Sequence, residues 1–155
     1  MNILVTGAGG GIGQGVIKSL RMIKDMDIKI VAADMSELAT GLYAADVSYL
    51  VDKCDSDKYL ETLSRIFKKE SIDFYIPGTD VELKFCAINK QLIMDEFSVH
   101  TVISSEKVID ISHDKYKTSL FISEIFTAPS PDVQPHPHRK TKNTSNNLVV
   151  YFANP

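Results

Sequence analysis

The stretch 2–13, NILVTGAGGGIG, decides the fold because an apolar run leads directly into five closely spaced glycines. The apolar run predicts a short buried strand, and the glycines predict a tight turn whose backbone can approach a ligand closely. Residues 12–24, IGQGVIKSLRMIK, then predict a helix with its apolar side chains on one face. Those side chains are Ile12, Val16, Leu20 and Ile23.

The alternation of short apolar runs with helical periodicity continues along the chain. Strands are predicted at 2–6, 28–33, 47–51, 72–76 and 99–103. Helices are predicted at 12–24, 37–44, 56–69 (capped by Ser56), 79–95 (capped by Thr79 or Asp80), from 104, and at 114–125 (capped by Asp114). Strands that alternate with helices pair in parallel through right-handed crossovers. We therefore expect an α/β fold with an open, doubly wound (Rossmann-like), mostly parallel five-stranded sheet and helices on both faces.

The composition changes sharply near the C-terminal end. Residues 127–147 contain four prolines and few apolar residues, so we expect a folded domain at 1–125 and a largely irregular tail at 126–155. An apolar segment at 148–152, LVVYF, could add a short strand. His136 and His138 in this tail are two isolated metal-ligand types, which predict at most weak metal binding.

Charge and hydropathy exclude several function classes. A net charge of −3 provides no electrostatic footprint for nucleic acid. The apolar runs are too short for a membrane span, and no signal peptide precedes the first strand. Cys54 and Cys86 lack metal-type spacing, and Cys86 falls in an apolar helical pattern typical of a buried thiol. These features predict a reducing, cytoplasmic setting.

The glycine-rich turn predicts an anion site. Backbone amides and the dipole of the following helix favour negative charge at this position, so Gly7, Gly9, Gly10 and Gly11 are candidates to face a phosphate or a carboxylate. The alternative is that the glycines only permit close packing between the strand and the helix.

A nicotinamide dinucleotide is one candidate anion. The segment 6–13 fits the T-G-x-x-x-G-x-G pattern of short-chain dehydrogenases, and Asp34 ends the second strand, where a ribose-binding acid belongs. That chemistry also needs a tyrosine with a lysine four residues later. Only Tyr49 and Lys53 have this spacing, and Tyr49 lies on a predicted strand, which favours a packing role. NAD(P) binding therefore stays the alternative.

Three further segments, GLYAAD at 41–46, IDFYIPGTDVEL at 72–83 and VISSEKVIDISHDKYKT at 102–118, follow the glycine turn in a characteristic order. Together they resemble the N-terminal (pre-ATP-grasp) domain of ATP-grasp ligases, most closely proteins like the large subunit of carbamoyl-phosphate synthase. The resemblance covers residues 1 to about 125. It implies an enzyme that uses ATP and Mg²⁺ to convert a carboxylate into an acyl phosphate, which an amine then attacks.

The resemblance also implies roles for individual residues. The glycines at 7–11 would face the substrate, and an acid that opens the helix after the fourth strand would contact it. Glu82 is the first candidate for that acid and Asp80 the rival, with Thr79 beside them; the alternative is that they only cap the helix. Lys115 would reach an ATP phosphate, unless it is a solvated lysine at the start of a helix.

The sequence departs from the family after the helix that begins near Asp114. No lid domain and no metal-binding acids follow, so we expect a chain truncated before the ATP-grasp domains and inactive alone. These domains would act in cis or come from a split subunit, and the substrate would be a small carboxylate. A natural truncation, a frameshift and a split subunit stay open as explanations, as does a homodimer, since related enzymes often pair.

Overall fold

Five short strands form one sheet in the computed structural model, which describes residues 1–127. The predicted tail begins at residue 126, but residues 126 and 127 belong to the last described helix. The rest of the tail, with its predicted strand at 148–152 and its histidines at 136 and 138, lies outside the described residues. All strand pairs are parallel, and the order across the sheet is β3-β2-β1-β4-β5. The strands are β1 (Asn2–Val5), β2 (Lys29–Asp34), β3 (Val47–Leu50), β4 (Phe74–Ile76) and β5 (His100–Thr101).

Helices connect the strands, so the predicted α/β fold with a five-stranded parallel sheet is confirmed. The helices are α1 (Gly11–Met22), α2 (Tyr59–Glu70), α3 (Asp80–Phe97), α4 (Glu106–His113) and α5 (Lys115–Thr127), and a short 3-10 helix spans Thr40–Ala44. None of the helices in the described part of the chain combines the length and the apolar character needed to cross a membrane.

Two apolar cores cover the two faces of the sheet. Leu4 in β1 points to the core formed with α2 and α3, whereas its neighbours Ile3 and Val5 point to the core formed with α1 and the 3-10 helix. This alternation follows from the two-residue period of a strand. The predicted inward face of α2 is confirmed, since Tyr59, Leu63, Ile66 and Phe67 are buried and Leu60 is half-buried.

The buried face of α1 agrees with the predicted one at Val16 and Leu20, which pack half-buried against the core, but differs from it at Ile12 and Ile23. Its buried residues are Gly13 and Ile17, whereas Ile12 is 58% exposed and Ile23 is 39% exposed. The reason is Gly13, which packs against the glycine turn: a Cβ there would lie 2.3 Å from the Gly7 carbonyl oxygen. The helix therefore comes closest to the glycine turn at Gly13, which has no side chain. A search for apolar periodicity does not detect such a position.

The starts of two helices also refine the prediction. Ser56 does not cap α2, which begins at Tyr59; its Oγ accepts the Lys58 amide at 3.3 Å in the preceding turn. Thr79, and not Asp80, is the N-cap of α3.

From β1 the chain adds strands on one side of the sheet, and from β4 it adds them on the other. The direction of strand addition therefore reverses between β1 and β4. The chain leaves β1 toward α1 and β2 on one side, and it leaves β4 toward α3 and β5 on the other. The loops that follow these two adjacent strands diverge, and ligands of open α/β sheets bind in the crevice outside the carboxyl ends at this point.

Candidate functional site

A cavity of about 760 Å³ opens at the carboxyl end of the sheet, within the size range of small-molecule sites. Its walls come from the glycine turn after β1, the loops after β2 and β3, and the first turn of α3. The lining residues are Gly7, Gly9, Gly10, Asp34, Met35, Ser36, Leu38, Ala39, Val51, Asp52, Lys53, Cys54, Asp55, Tyr59, Thr79, Val81 and Glu82.

The glycine turn is tightly folded. Gly7 has a φ of +58°, a conformation that favours glycine, and a Cβ at this position would lie 2.5 Å from Thr79 Cγ2. The Gly10 amide donates to the Gly7 carbonyl at 3.0 Å, and the Ala8 amide donates to Ala33 at 3.3 Å. Some amides of the turn are therefore already hydrogen-bonded, one within the turn and one to β2.

The start of α1 retains donors for an anion. The first helical hydrogen bond runs from the Gln14 amide to the Gly10 carbonyl at 3.0 Å. The amides of residues 11–13 precede it and have no acceptor within the helix. An anionic group at the glycine turn would therefore meet the first turn of α1 more than the amides of the loop itself.

Glu82 is the most deeply buried acid of the cavity, at 5% exposure. It lies in the first turn of α3, and its Oε2 accepts hydrogen bonds from the amide of Thr79 at 3.1 Å and from its hydroxyl at 2.7 Å. This contact is the carboxylate half of a capping box. Its Oε1 accepts a short hydrogen bond from the hydroxyl of Tyr59 in α2.

Two more hydroxyls lie behind Tyr59. The Tyr59 and Tyr75 oxygens are 3.4 Å apart, and the Thr6 hydroxyl donates to Tyr75 at 3.4 Å. Since Tyr59 gives its only hydroxyl proton to Glu82, Tyr75 must be the donor in the pair of tyrosines. Tyr59 can therefore only accept in this pair, and its own proton points toward the carboxylate of Glu82.

The cavity lining is acidic. In the part of it that the structure describes, Asp34, Asp52, Asp55 and Glu82 supply four carboxylates, and Lys53 is the one cation. Burial, followed by the charges of Glu82 and Asp55, raises the pKa of the Cys54 thiol above its ordinary value. The field of these groups therefore favours a positively charged ligand group over a triphosphate.

The predicted site residues separate into two sets. Gly7, Gly9, Gly10, Thr79 and Glu82 line the cavity together. The other three do not line it: Gly11 begins α1, Asp80 is exposed at the start of α3, and Lys115 is exposed at the start of α5.

Sequence reasoning missed the wall formed by residues 51–55 and the role of Tyr59. The acid-rich run DKCDSD at 52–57 follows β3 at the carboxyl edge of the sheet, which was the available signal. The sequence pattern predicts Tyr59 only as a core residue. The packing role predicted for Tyr49 agrees with its position: its hydroxyl donates to Glu70, whereas Lys53 lines the cavity.

Residues 3–102 match the model of the PylC-like N-terminal domain family. The chain belongs to this family. The recognition of an N-terminal domain of an ATP-grasp ligase is thereby confirmed, and the match includes residues of all five strands and every residue that lines the cavity. A search of curated protein sequences found no match to this PylC-like domain.

Two solved structures are similar to the PylC-like domain at a low level. One is dTDP-glucose 4,6-dehydratase from Bacillus anthracis, in complex with NAD, with 19% identity, a TM-score of 0.45, and coverage of 65% of this chain and 36% of that chain. The other is the biotin carboxylase domain of a single-chain bacterial carboxylase, with 16% identity, a TM-score of 0.49, and coverage of 81% and 29%. The chain thus spans about a third of their length, and neither likeness supports an argument about function.

Proposed function

We propose that this chain is the substrate-side domain of an ATP-grasp carboxylate–amine ligase and that its cavity binds a small amino carboxylic acid. The observation that carries the proposal is the buried carboxylate of Glu82 in a cavity at the switch point of the sheet. The finer likeness to the large subunit of carbamoyl-phosphate synthase rests on segments 41–46, 72–83 and 102–118. The free thiols of Cys54 and Cys86 agree with a reducing cytoplasm.

The charges of the cavity suggest how such a substrate would lie. Its amino group would face Glu82 and the aspartates, because a cation is favoured beside several carboxylates. Its carboxylate would lie beside Gly10, at the edge of the cavity next to the start of α1, where the amides of residues 11–13 and the helix dipole favour negative charge just outside the lining. The amino group would thus lie among the carboxylates of the cavity, and the carboxylate would lie at the cavity edge, near the helix N-terminus.

The described residues do not fit ATP and Mg²⁺. Within residues 1–127, no group of three or more histidine, cysteine, aspartate or glutamate side chains is arranged to hold a metal ion. A triphosphate also needs several cationic donors around it, whereas Lys53 alone lines the cavity among the described cations and Lys115 lies outside the lining. We therefore propose that ATP is held by further domains, in cis or on a partner subunit.

Isothermal titration of the full chain tests this proposal. The ligands are small α- and ω-amino carboxylic acids, each paired with its N-acetyl counterpart, which keeps the carboxylate but removes the cation. We expect saturable binding of at least one amino acid, no binding of its N-acetyl form, and about tenfold or greater loss in Glu82→Gln. ATP should bind weakly or not at all.

NAD and NADP titrated under the same conditions test the alternative. Saturable NAD(P) binding that is lost in Gly9→Val would contradict the ligase proposal and support a dehydrogenase domain. Preference for the N-acetyl forms would contradict the role of Glu82.

A further inference from the structure

We infer that Tyr59 is a positioning residue of the substrate site, which holds the Glu82 carboxylate in the orientation that receives the amino group. This inference rests on the proposed function. It assigns to a residue of α2 a role in a site otherwise built from the strand-end loops and α3.

The geometry separates the two oxygens of Glu82. Oε2 is held by Thr79, which belongs to the same helix turn, whereas Oε1 is held by Tyr59 from a different helix. Without the hydroxyl of Tyr59, the carboxylate could rotate about its terminal torsion, which is soft for a glutamate. The contact from α2 therefore fixes which lone pairs of Glu82 face the cavity.

The surroundings make Tyr59 a fixed donor. Its residue exposure is 1%, and its ring packs edge-on against Phe85 with a centroid distance of 4.9 Å. Burial, then the charge and hydrogen bond of Glu82, raise the pKa of Tyr59 far above its ordinary value, so the phenol stays protonated. The hydrogen bond from Tyr75 behind it polarises the hydroxyl further toward Glu82.

The chain contains a matched pair outside the cavity. Tyr49 donates a similarly short hydrogen bond to Glu70, a glutamate that is 7% exposed, and neither residue lines the cavity. Replacing Tyr49 by Phe removes the same type of contact from the same domain. A general loss of rigidity would therefore appear in both variants, whereas a positioning role would appear only in the Tyr59 variant.

The experiment compares wild type, Tyr59→Phe, Tyr49→Phe and Glu82→Gln by titration with the amino acid that binds wild type best. We expect Tyr59→Phe to bind about tenfold more weakly, Tyr49→Phe to stay within about twofold of wild type, and Glu82→Gln to lose binding. Equal affinities of Tyr59→Phe and wild type would overturn the inference, as would equal losses in both tyrosine variants.

A second measurement uses only the wild-type protein, without ligand, so it does not depend on whether a variant folds. In the NMR spectrum of the wild-type chain, the Tyr59 hydroxyl proton should be slowly exchanging and shifted strongly downfield by the carboxylate. A hydroxyl proton in fast exchange with water would overturn the inference. If this proton is found but no amino acid binds, or Glu82→Gln binds like wild type, the proposed function fails while the contact itself stands.

Discussion

The backbone amide of Gly9 donates a hydrogen bond of 2.8 Å to Oδ2 of Asp34, which joins the turn after β1 to the end of β2. The other carboxylate oxygen, Oδ1, accepts the Ser36 amide at 2.9 Å. Both oxygens therefore serve the protein backbone. An acid engaged in this way is part of the cavity wall, and its position at the end of β2 does not by itself indicate a ribose-binding residue.

Replacing Asp34 by Ala should loosen the glycine turn, because the amides of Gly9 and Ser36 lose their acceptor. We expect the free energy of unfolding to fall by about 1–3 kcal/mol, as measured by urea denaturation. Asp25→Ala, at an exposed position after α1, serves as the control and should change it by less than about 0.5 kcal/mol. Equal effects of the two substitutions would contradict the structural role of Asp34.

Two glycines of α1 should respond in opposite directions to the same substitution. Gly13→Ala places a Cβ 2.3 Å from the Gly7 carbonyl oxygen, so we expect a loss of about 1–3 kcal/mol or more. Gly15→Ala places a Cβ in open space and should stabilise the helix by about 0.5–1 kcal/mol. Thermal unfolding of both variants measures this difference, and a stable Gly13→Ala protein would show that α1 can move away from the turn.

Acid should destabilise the protein in part through Glu70. The hydrogen bonds from Lys29, at 2.7 Å, and from Tyr49 hold the pKa of the Glu70 carboxyl below its ordinary value. The unfolded chain therefore takes up this proton first, and the stabilisation is lost as the pH falls from about 4.3 through the lower value of the folded state.

Glu70→Gln should accordingly be less stable than wild type at pH 7 and should lose less stability below pH 4.5. Urea unfolding midpoints of both proteins, measured between pH 7 and pH 4, test whether the stability difference shrinks as the pH falls. Glu61→Gln is the control on the same helix. Glu61 and Arg65 form an ion pair of 3.5 Å in which both side chains are 70% exposed, so its loss should change stability little. If Glu70→Gln loses as much stability below pH 4.5 as wild type does, carboxylates other than Glu70 cause the acid destabilisation.

The two cysteines should differ in reactivity. Cys86 is fully buried, and burial raises the pKa of its thiol to about 12, whereas Cys54 is partly exposed in the cavity wall. A thiol reagent should modify Cys54 slowly in the native protein and Cys86 only after unfolding. A ligand in the cavity should slow the reaction at Cys54; modification of both thiols at one rate under native conditions would contradict the burial of Cys86.

The sequence predicts the fold well because the fold depends on local patterns. Apolar runs mark the strands, and the spacing of Tyr59, Leu63 and Phe67 marks the buried face of α2. The general location of the site also follows from the sequence, since the glycine turn and Glu82 both come directly after strands whose carboxyl ends share an edge.

The composition of the site depends on contacts between distant segments. The acids at 52 and 55 join Glu82 only because the loop after β3 folds over the sheet edge, and the hydroxyl of Tyr59 reaches Glu82 from another helix. Periodicity identifies Tyr59 as buried but does not say where its hydroxyl points. For the same reason, the glycines alone predict an anion site, whereas the cavity as a whole is acidic.

The pairing of Ile3 in β1 with Phe74 in β4 has a consequence for how the protein is made. During translation, the glycine turn leaves the ribosome before Thr79 and Glu82 do. The nascent β1 can pair first only with β2, and the centre of the sheet closes when the strand near residue 75 has emerged. Until that moment the crevice lacks the wall that Thr79 and Glu82 form, so the cavity can close only after β4 and the start of α3 have been synthesised.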